Sequence, residues 1–321
     1  MFLGVDGGGT KTAFVLIDGQ GNVRARHQEN SSYYLEVGME NTAAILRQGT
    51  AATLAKAGLQ PDDLSFAFFG LPAFGEDSSV EQQLDSLPAG FLARDKYQCG
   101  CDMICSWAGS LACQDGVSVI SGTGSMAYGE YQGRGTRAGG WGELFSDEGS
   151  AYWIAREGLT LFSKMSDGRA VKGILHELFM QRFKLKEELD LCGHVYSTLG
   201  AQRSAIAQIS QLVAEAALAG DDQARMIFFR AALELADMVM AVRKVLQVPD
   251  SVIFPVSYSG GVFDGGSLLL EPFTQQLQQR HFEVRKPILT PAIGAAMYAA
   301  KCAGADLDAA AIAKLAAASA V

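Results

Sequence analysis

The sequence holds no uninterrupted run of about 18 apolar residues, and its opening, MFLGVDGGG, has neither the basic stretch nor the apolar core of an export leader. A membrane span and secretion are both unexpected, and the chain is expected in the cytoplasm. It also lacks a basic stripe: 26 Lys and Arg stand against 35 Asp and Glu, giving a net charge of −9. Nucleic-acid surfaces need clustered positive charge, so no nucleic-acid partner is expected. Nor are there paired cysteines. Cys99, Cys101, Cys105, Cys113, Cys192 and Cys302 include no C-x-x-C spacing able to grip a metal with two thiolates, and reduced thiols are the simplest reading. The Cys99, Cys101, Cys105 group reads as a buried strand end, with an iron or zinc site as the competing possibility.

What is present is ordinary globular composition, 49% hydrophobic and 19% charged, over 321 residues, enough for two domains of about 150 residues each. Residues 2–5 and 13–18 are apolar and β-prone, and NVRARHQE alternates, so the opening predicts a three-stranded antiparallel meander. A helix over 39–57, a buried strand at 64–71, a short helix at 77–87, a strand at 97–102 and a small-residue helix through Ser106–Cys113 complete an α/β lobe. At Asp115 the layout restarts: GVSVISGTGSMAYGEY repeats strand, glycine turn, strand, which implies a duplicated lobe. Helices dominate from Ala151 to Val248, with Ser204–Leu218 and Ala224–Leu246 strongly periodic. A strand over 252–262 ending in Gly-Gly, a helix over about 267–280, a strand at HFEVRKP and a helix from PAIGAAMYAAKCAG follow.

The two glycine turns carry the chemistry. In Asp6-Gly7-Gly8-Gly9-Thr10-Lys11-Thr12 the absent side chains let an anion reach several backbone N–H groups, while Asp6 offers a carboxylate to a magnesium-bound water and Lys11 an ammonium to a phosphate. It is not a Walker A loop, because Thr10 follows Gly9 where lysine should stand. Alone, such a turn reads equally well as steric necessity. A second, Ser121-Gly122-Thr123-Gly124-Ser125, stands at the equivalent point of the repeat, and two of them would clamp a polyphosphate from both sides. Gly122-Thr-Gly124-Ser-Met-Ala127 also matches the dinucleotide fingerprint, but that reading demands a helix beginning at the loop, and SMAYGEYQGRG is strand-like.

Asp102, at a strand end just before a helix, is either a catalytic base facing an α/β cleft or a helix cap. Gly139-Gly140-Trp141-Gly142 with Asp147-Glu148-Gly149-Ser150 pairs an indole with carboxylates, a combination suited to gripping a sugar; the plainer reading is a cap and a core tryptophan.

The order DGGGTKT, strand-end aspartate, SGTGS, GGWG with DEGSAYWIA, SGGV and PAIGAAMYA resembles the BadF/BadG/BcrA/BcrD ATPases and, more closely, the N-acetylglucosamine kinases of the actin-like, sugar-kinase and heat-shock-protein superfamily, from Gly4 to about Ala300. The resemblance implies two actin-like, ribonuclease H-like α/β lobes, each a mixed five-stranded sheet flanked by helices, with ATP in the cleft between them. The lobes would be 1–115, with the helix at 292–321 packing back on it, and 116–291. It implies ATP and magnesium, with Asp6 organising the metal through water and Gly8, Gly9, Thr10 and Lys11 holding the terminal phosphates. Gly122, Thr123 and Gly124 would serve the nucleotide, and Gly260 and Gly261 the adenosine. Asp102 matches the family base that deprotonates the sugar 6-hydroxyl, Asp147 a sugar-hydroxyl ligand, and Gly140 and Trp141 the pocket wall. A homodimer is a further implication. Tyr33 stands where the family has a sugar-contacting asparagine, and Met126 replaces an asparagine common after SGTGS. The expected activity is phosphorylation of N-acetylglucosamine, with glucosamine kinase or the iron–sulfur ATPase activators of 2-hydroxyacyl-CoA dehydratases as alternatives. The activators lack the GGWG and DEGSAYWIA block.

Overall fold

The structure is a computed structural model and describes residues 1–319; Ala320 and Val321, the end of the helix expected over 292–321, lie outside the described residues. The chain divides into two compact units, residues 1–118 with 286–321, and residues 119–285.

The first unit opens with the expected meander, β1 (Phe2–Gly7), β2 (Lys11–Ile17) and β3 (Val23–Asn30), paired antiparallel. A short helix α1 (Tyr34–Val37) and the long α2 (Met39–Lys56) lead to β4 (Phe66–Leu71), α3 (Ser78–Ser86), β5 (Tyr97–Cys101) and α4 (Met103–Leu111). Strand order is β3-β2-β1-β4-β5, with β1, β4 and β5 parallel. Residues along β1, β2 and β4 alternate between two apolar layers, as the two-residue period of a strand requires. Phe2, Val15, Ile17 and Phe68 face one layer; Leu3, Val5, Phe14, Leu16 and Phe69 face the other. The edge strand β3 instead alternates half-buried or buried with exposed positions, since only one of its faces is covered.

The second unit comprises β6 (Gly116–Ser121), whose first three residues belong to the first unit, β7 (Ser125–Tyr131), β8 (Arg134–Gly139), then α5 (Ala151–Ser166), α6 (Ile174–Arg182), α7 (Asp190–Gly193), α8 (Arg203–Ala207), α9 (Ser210–Leu218) and α10 (Asp222–Val245). It ends with β9 (Phe254–Ser259), α11 (Leu270–Gln278) and β10 (Phe282–Arg285). Its order, β10-β9-β6-β7-β8, is the first sheet's order with each strand replaced by its counterpart, so the restart in the sequence is a repeat of topology. β7 leaves the Gly122–Gly124 turn as a strand, which removes the helix a dinucleotide fingerprint requires.

The chain returns to the first unit as α12 (Pro291–Cys302) and α13 (Ala309–Ser319). α12 lies directly on β1 and α4. A Cβ at Gly4 would run into the Ala296 backbone, and one at Gly294 into that of Gly109. The small-residue face of PAIGAAMYA thus lets backbone approach backbone, and Ile293, Ala296, Ala299 and Ala300 are fully buried. No described helix is long and apolar enough to cross a membrane.

Three expectations shift in detail. The periodic stretch 204–218 divides into α8 and α9, the helix expected from about 267 is preceded by a 3-10 turn kinked at Gly266, and the helix expected from Ser106 begins at Met103. None of the six cysteines is in a disulfide; the Cys99 thiol faces the Asp85 carbonyl and the Cys105 thiol that of Val5.

Candidate active site

In the first unit the carboxyl ends of β1, β4 and β5 bring together Asp6, the Leu71–Glu76 loop and Asp102. Register places Asp6 opposite Gly70 and Gly70 opposite Gly100, with Asp102 immediately after β5. This end of parallel strands is where open α/β sheets collect reactive groups, because helices and loops leave it uncovered. Asp102 occupies the position preceding α4, and its carboxylate meets the first helical N–H, at Met103, without the capping bond one or two residues further in. Instead it accepts from the Cys101 thiol at 3.3 Å. Burial pushes its pKa up to about 6, against the Cys101 and Met103 hydrogen bonds and with the Glu76 charge adding to the rise. Asp6, whose carboxyl accepts no hydrogen bond among the described residues, is pushed to about 7, first by burial and then by Asp102; Lys11 opposes the shift.

The turn after Asp6 is closed by the Gly8 N–H donating to the Lys11 carbonyl at 3.0 Å, leaving Gly9, Thr10 and Lys11 exposed at its tip. The Ser31 hydroxyl donates to the Gly8 carbonyl at 2.9 Å and accepts the Tyr33 N–H at 3.1 Å, so the loop carrying Tyr33 is fastened to this turn.

In the second unit three segments converge on Gly122–Gly124. Ser121 Oγ donates to the Gly149 carbonyl at 2.8 Å, Ala151 N–H donates to the Gly122 carbonyl at 2.8 Å, and Val262 N–H donates to the Ser121 carbonyl at 3.1 Å. The Gly260–Gly261 turn therefore sits against the Gly122 turn. Gly260 must be glycine, having a φ of +99° and the Ser121 carbonyl where a Cβ would stand. Gly9, Gly122 and Gly261 are different. None has a positive φ, and a Cβ at each would meet nothing within 4 Å. Neither strain nor packing accounts for glycine there, whereas an anion approaching the backbone N–H groups would. Within the first unit, the exposed Lys11 and the buried Asp6 are of the residue types that meet a phosphate and a divalent cation.

Asp147 lies beneath the second turn. Its φ is +60°, its side chain is 3% exposed, and its carboxylate accepts the Ser125 N–H at 3.3 Å and the guanidinium of Arg203. Burial raises its pKa despite Arg203. Ser150, not Asp147, caps α5, accepting the Trp153 N–H at 3.1 Å. Trp141 is no core residue: it is 67% exposed, in a loop whose Gly139, Gly140 and Gly142 all have positive φ. With Phe145, Glu148, Glu234 and Asp237 it lines a pocket of about 450 Å³ that Asp147 does not line, and the Arg137 guanidinium lies 5.9 Å from its ring.

Sequence reasoning missed Arg203 and Glu76. Arg203 stands 56 positions from Asp147 on a stretch whose periodicity marks only an amphipathic helix, so no local spacing reveals the pair. Glu76 was within reach, since it follows a strand parallel to that of Asp102.

A model of the BadF/BadG/BcrA/BcrD ATPase family matches residues 3–299. The chain is 29% identical over 93% of its length to the N-acetyl-D-glucosamine kinase of Dictyostelium discoideum, covering 97% of that protein. It is 30% identical over 88% of its length to the N-acetylmuramic acid/N-acetylglucosamine kinase of Clostridium acetobutylicum, covering 92% of it. A solved structure from Chromobacterium violaceum, provisionally named an N-acetylglucosamine kinase, shares the fold at a TM-score of 0.66 and 24% identity, over 92% of this chain and 97% of that one. The strand-end aspartates, the glycine turns and the repeated sheet thus stand in a chain that belongs to the BadF/BadG/BcrA/BcrD ATPase family.

Proposed function

We propose that the chain is an ATP-dependent kinase that phosphorylates N-acetylglucosamine on its 6-hydroxyl. The observation that carries this is the state of Asp102: a carboxylate with no capping duty, at the open end of the sheet, with a pKa of about 6. A general base works best when its pKa lies near the operating pH, where it is mostly ionised yet still basic enough to take a hydroxyl proton. Asp102 draws the proton from the acceptor hydroxyl as that oxygen attacks the terminal phosphoryl group. Asp6 holds magnesium through water, and the ion supplies charge neutralisation on the phosphates when bound. Backbone N–H groups at Gly8 and Gly9, with Thr10 and Lys11, hold the terminal phosphates. Gly122, Thr123 and Gly124 hold the nucleotide from the second unit, with Gly260 and Gly261 at the adenosine. Tyr33, Gly140, Trp141 and Asp147 contact the sugar, and the enzyme acts as a homodimer in the cytoplasm.

The acceptor is an amino sugar in both curated relatives, one of which also takes N-acetylmuramic acid. Tyr33 and Met126 remove polar partners from the sugar side without touching the phosphate groups, which leaves glucosamine as the second acceptor to test. The experiment is magnesium- and ATP-dependent ADP release with N-acetylglucosamine, N-acetylmuramic acid, glucosamine and glucose, run beside Asp102→Asn. Release stimulated most by N-acetylglucosamine and abolished in the variant is the expected outcome; equal release without sugar, unchanged in the variant, overturns the reading.

A further inference from the structure

Asp147 reads from the sequence as a ligand for the sugar, but its carboxylate is already engaged. One oxygen accepts the N–H of Ser125, the residue that closes the second glycine turn, and the other accepts from Arg203 Nη2. The guanidinium is also placed against the turn itself: a Cβ at Gly124 would strike Arg203 Nη2 and stand about 3 Å from both Asp147 carboxylate oxygens. Gly124 has no positive φ, and what a side chain would meet there is the Arg203 guanidinium and the Asp147 carboxylate. Arg203 Nε is buried without a hydrogen bond, with the Glu143 carboxylate 3.5 Å away. One guanidinium therefore spans the nucleotide turn (Gly124), the acceptor segment (Glu143, Asp147) and the start of α8.

We propose that Arg203 is a positioning residue for nucleotide binding: with Asp147 it fixes the second phosphate turn, and it ties that turn to the segment that meets the acceptor. The proposal rests on the kinase reading above for the identity of both ligands. Its physical basis is the forked geometry of arginine, which holds a carboxylate and a backbone turn in one register where an ammonium would act only as a point charge. Three charges, one positive and two negative, share this spot, so Arg203 does not add net attraction for phosphate; it sets where the turn's N–H groups point. An acceptor hydroxyl that competes for Asp147 shifts the same strut, so acceptor and nucleotide bind with mutual dependence.

The test is ADP affinity by calorimetry, with and without saturating N-acetylglucosamine, for the parent, Arg203→Met, Arg203→Lys, Asp147→Asn and the Arg203→Met/Asp147→Asn double variant, each checked for intact fold by circular dichroism. Loss of one charged hydrogen bond predicts that each single variant weakens ADP binding by about tenfold. The double variant should be no weaker than the worse single, because both remove one strut. Arg203→Lys should behave like Arg203→Met, and the effect of the sugar on ADP affinity should vanish in all four. Additive losses, full rescue by lysine, or ADP affinity within about twofold of the parent in Arg203→Met each overturn the proposal. A parent that binds no ADP sinks the kinase reading and the proposal together, whereas a parent that binds ADP beside an unaffected Arg203→Met sinks the proposal alone.

Discussion

Asp102 and Asp6 carry their protons to higher pH than free carboxyl groups do, about 6 and about 7, and both shifts arise first from lost hydration. The two consequences run in opposite directions. For stability, a carboxyl whose folded pKa is raised contributes fully while it is protonated in both states, below about pH 4, and that contribution is lost as pH rises through 6 and 7. In the proposed reaction Asp102 must be ionised, so kcat/KM should fall on the acid side with an apparent pKa of about 6 instead of the usual 4. Asp102→Asn should lower kcat by about 10²- to 10⁴-fold while raising the urea midpoint above the parent's at pH 8 more than at pH 4. Rate profiles and urea unfolding at the two pH values check both signs. At this scale the sequence was informative where chemistry and position coincide: Asp6 and Asp102 each end a strand, and strand ends can be read from residue pattern. Arg203 could not be read, because its role comes from a tertiary contact with Asp147.

Among the elements, the glycine turns separate two reasons for being glycine. Gly260 combines positive φ with contact against the Ser121 backbone, so Gly260→Ala should cost about 1–2 kcal/mol from backbone strain alone, with more for the clash. Gly122→Ala meets open space at ordinary φ and should leave stability within about 0.5 kcal/mol of the parent. Yet it places a methyl group over the N–H groups proposed to hold the nucleotide, so its ADP affinity should fall. Thermal unfolding and ADP titration on the same two proteins decide this, and equal behaviour of the two variants would remove the distinction. Element order was legible because the strand periods and the repeated strand-turn-strand layout are local signals. The division between α8 and α9 was not, since Gln208 and Ile209 keep helical backbone angles and the apolar period runs through the break. The π-helical turn at His194–Thr198 likewise has no compositional mark.

For the molecule as a whole, the first unit is discontinuous: residues 1–118 share a core with 286–321. Ile293, Met297 and Leu315 are buried in that shared core, and burying three such side chains is worth about 5–9 kcal/mol, comparable to the net stability of a domain. A chain ending at residue 285 should therefore lose slow amide hydrogen exchange in β1, β2 and β4 while keeping it in α10 and β9, measured by mass spectrometry. Retained protection in β1 would show that the first 118 residues hold their sheet alone. The duplicated topology was foreseeable from the two glycine turns; the return of the chain to its first unit rested on resemblance, because nothing local in PAIGAAMYA says which sheet it will cover.

The same discontinuity sets a timetable at the ribosome. The apolar face formed by Phe2, Val15, Ile17 and Phe68 is made early, but its cover at Ile293, Ala296 and Ala299 emerges only after the intervening chain. At 5–20 residues per second that wait is on the order of ten to forty seconds, long enough for the second unit to fold first. The nascent protein thus presents a sticky half-sheet to its surroundings for most of its synthesis, and its yield in a cell depends on what shields that face until the last helices arrive.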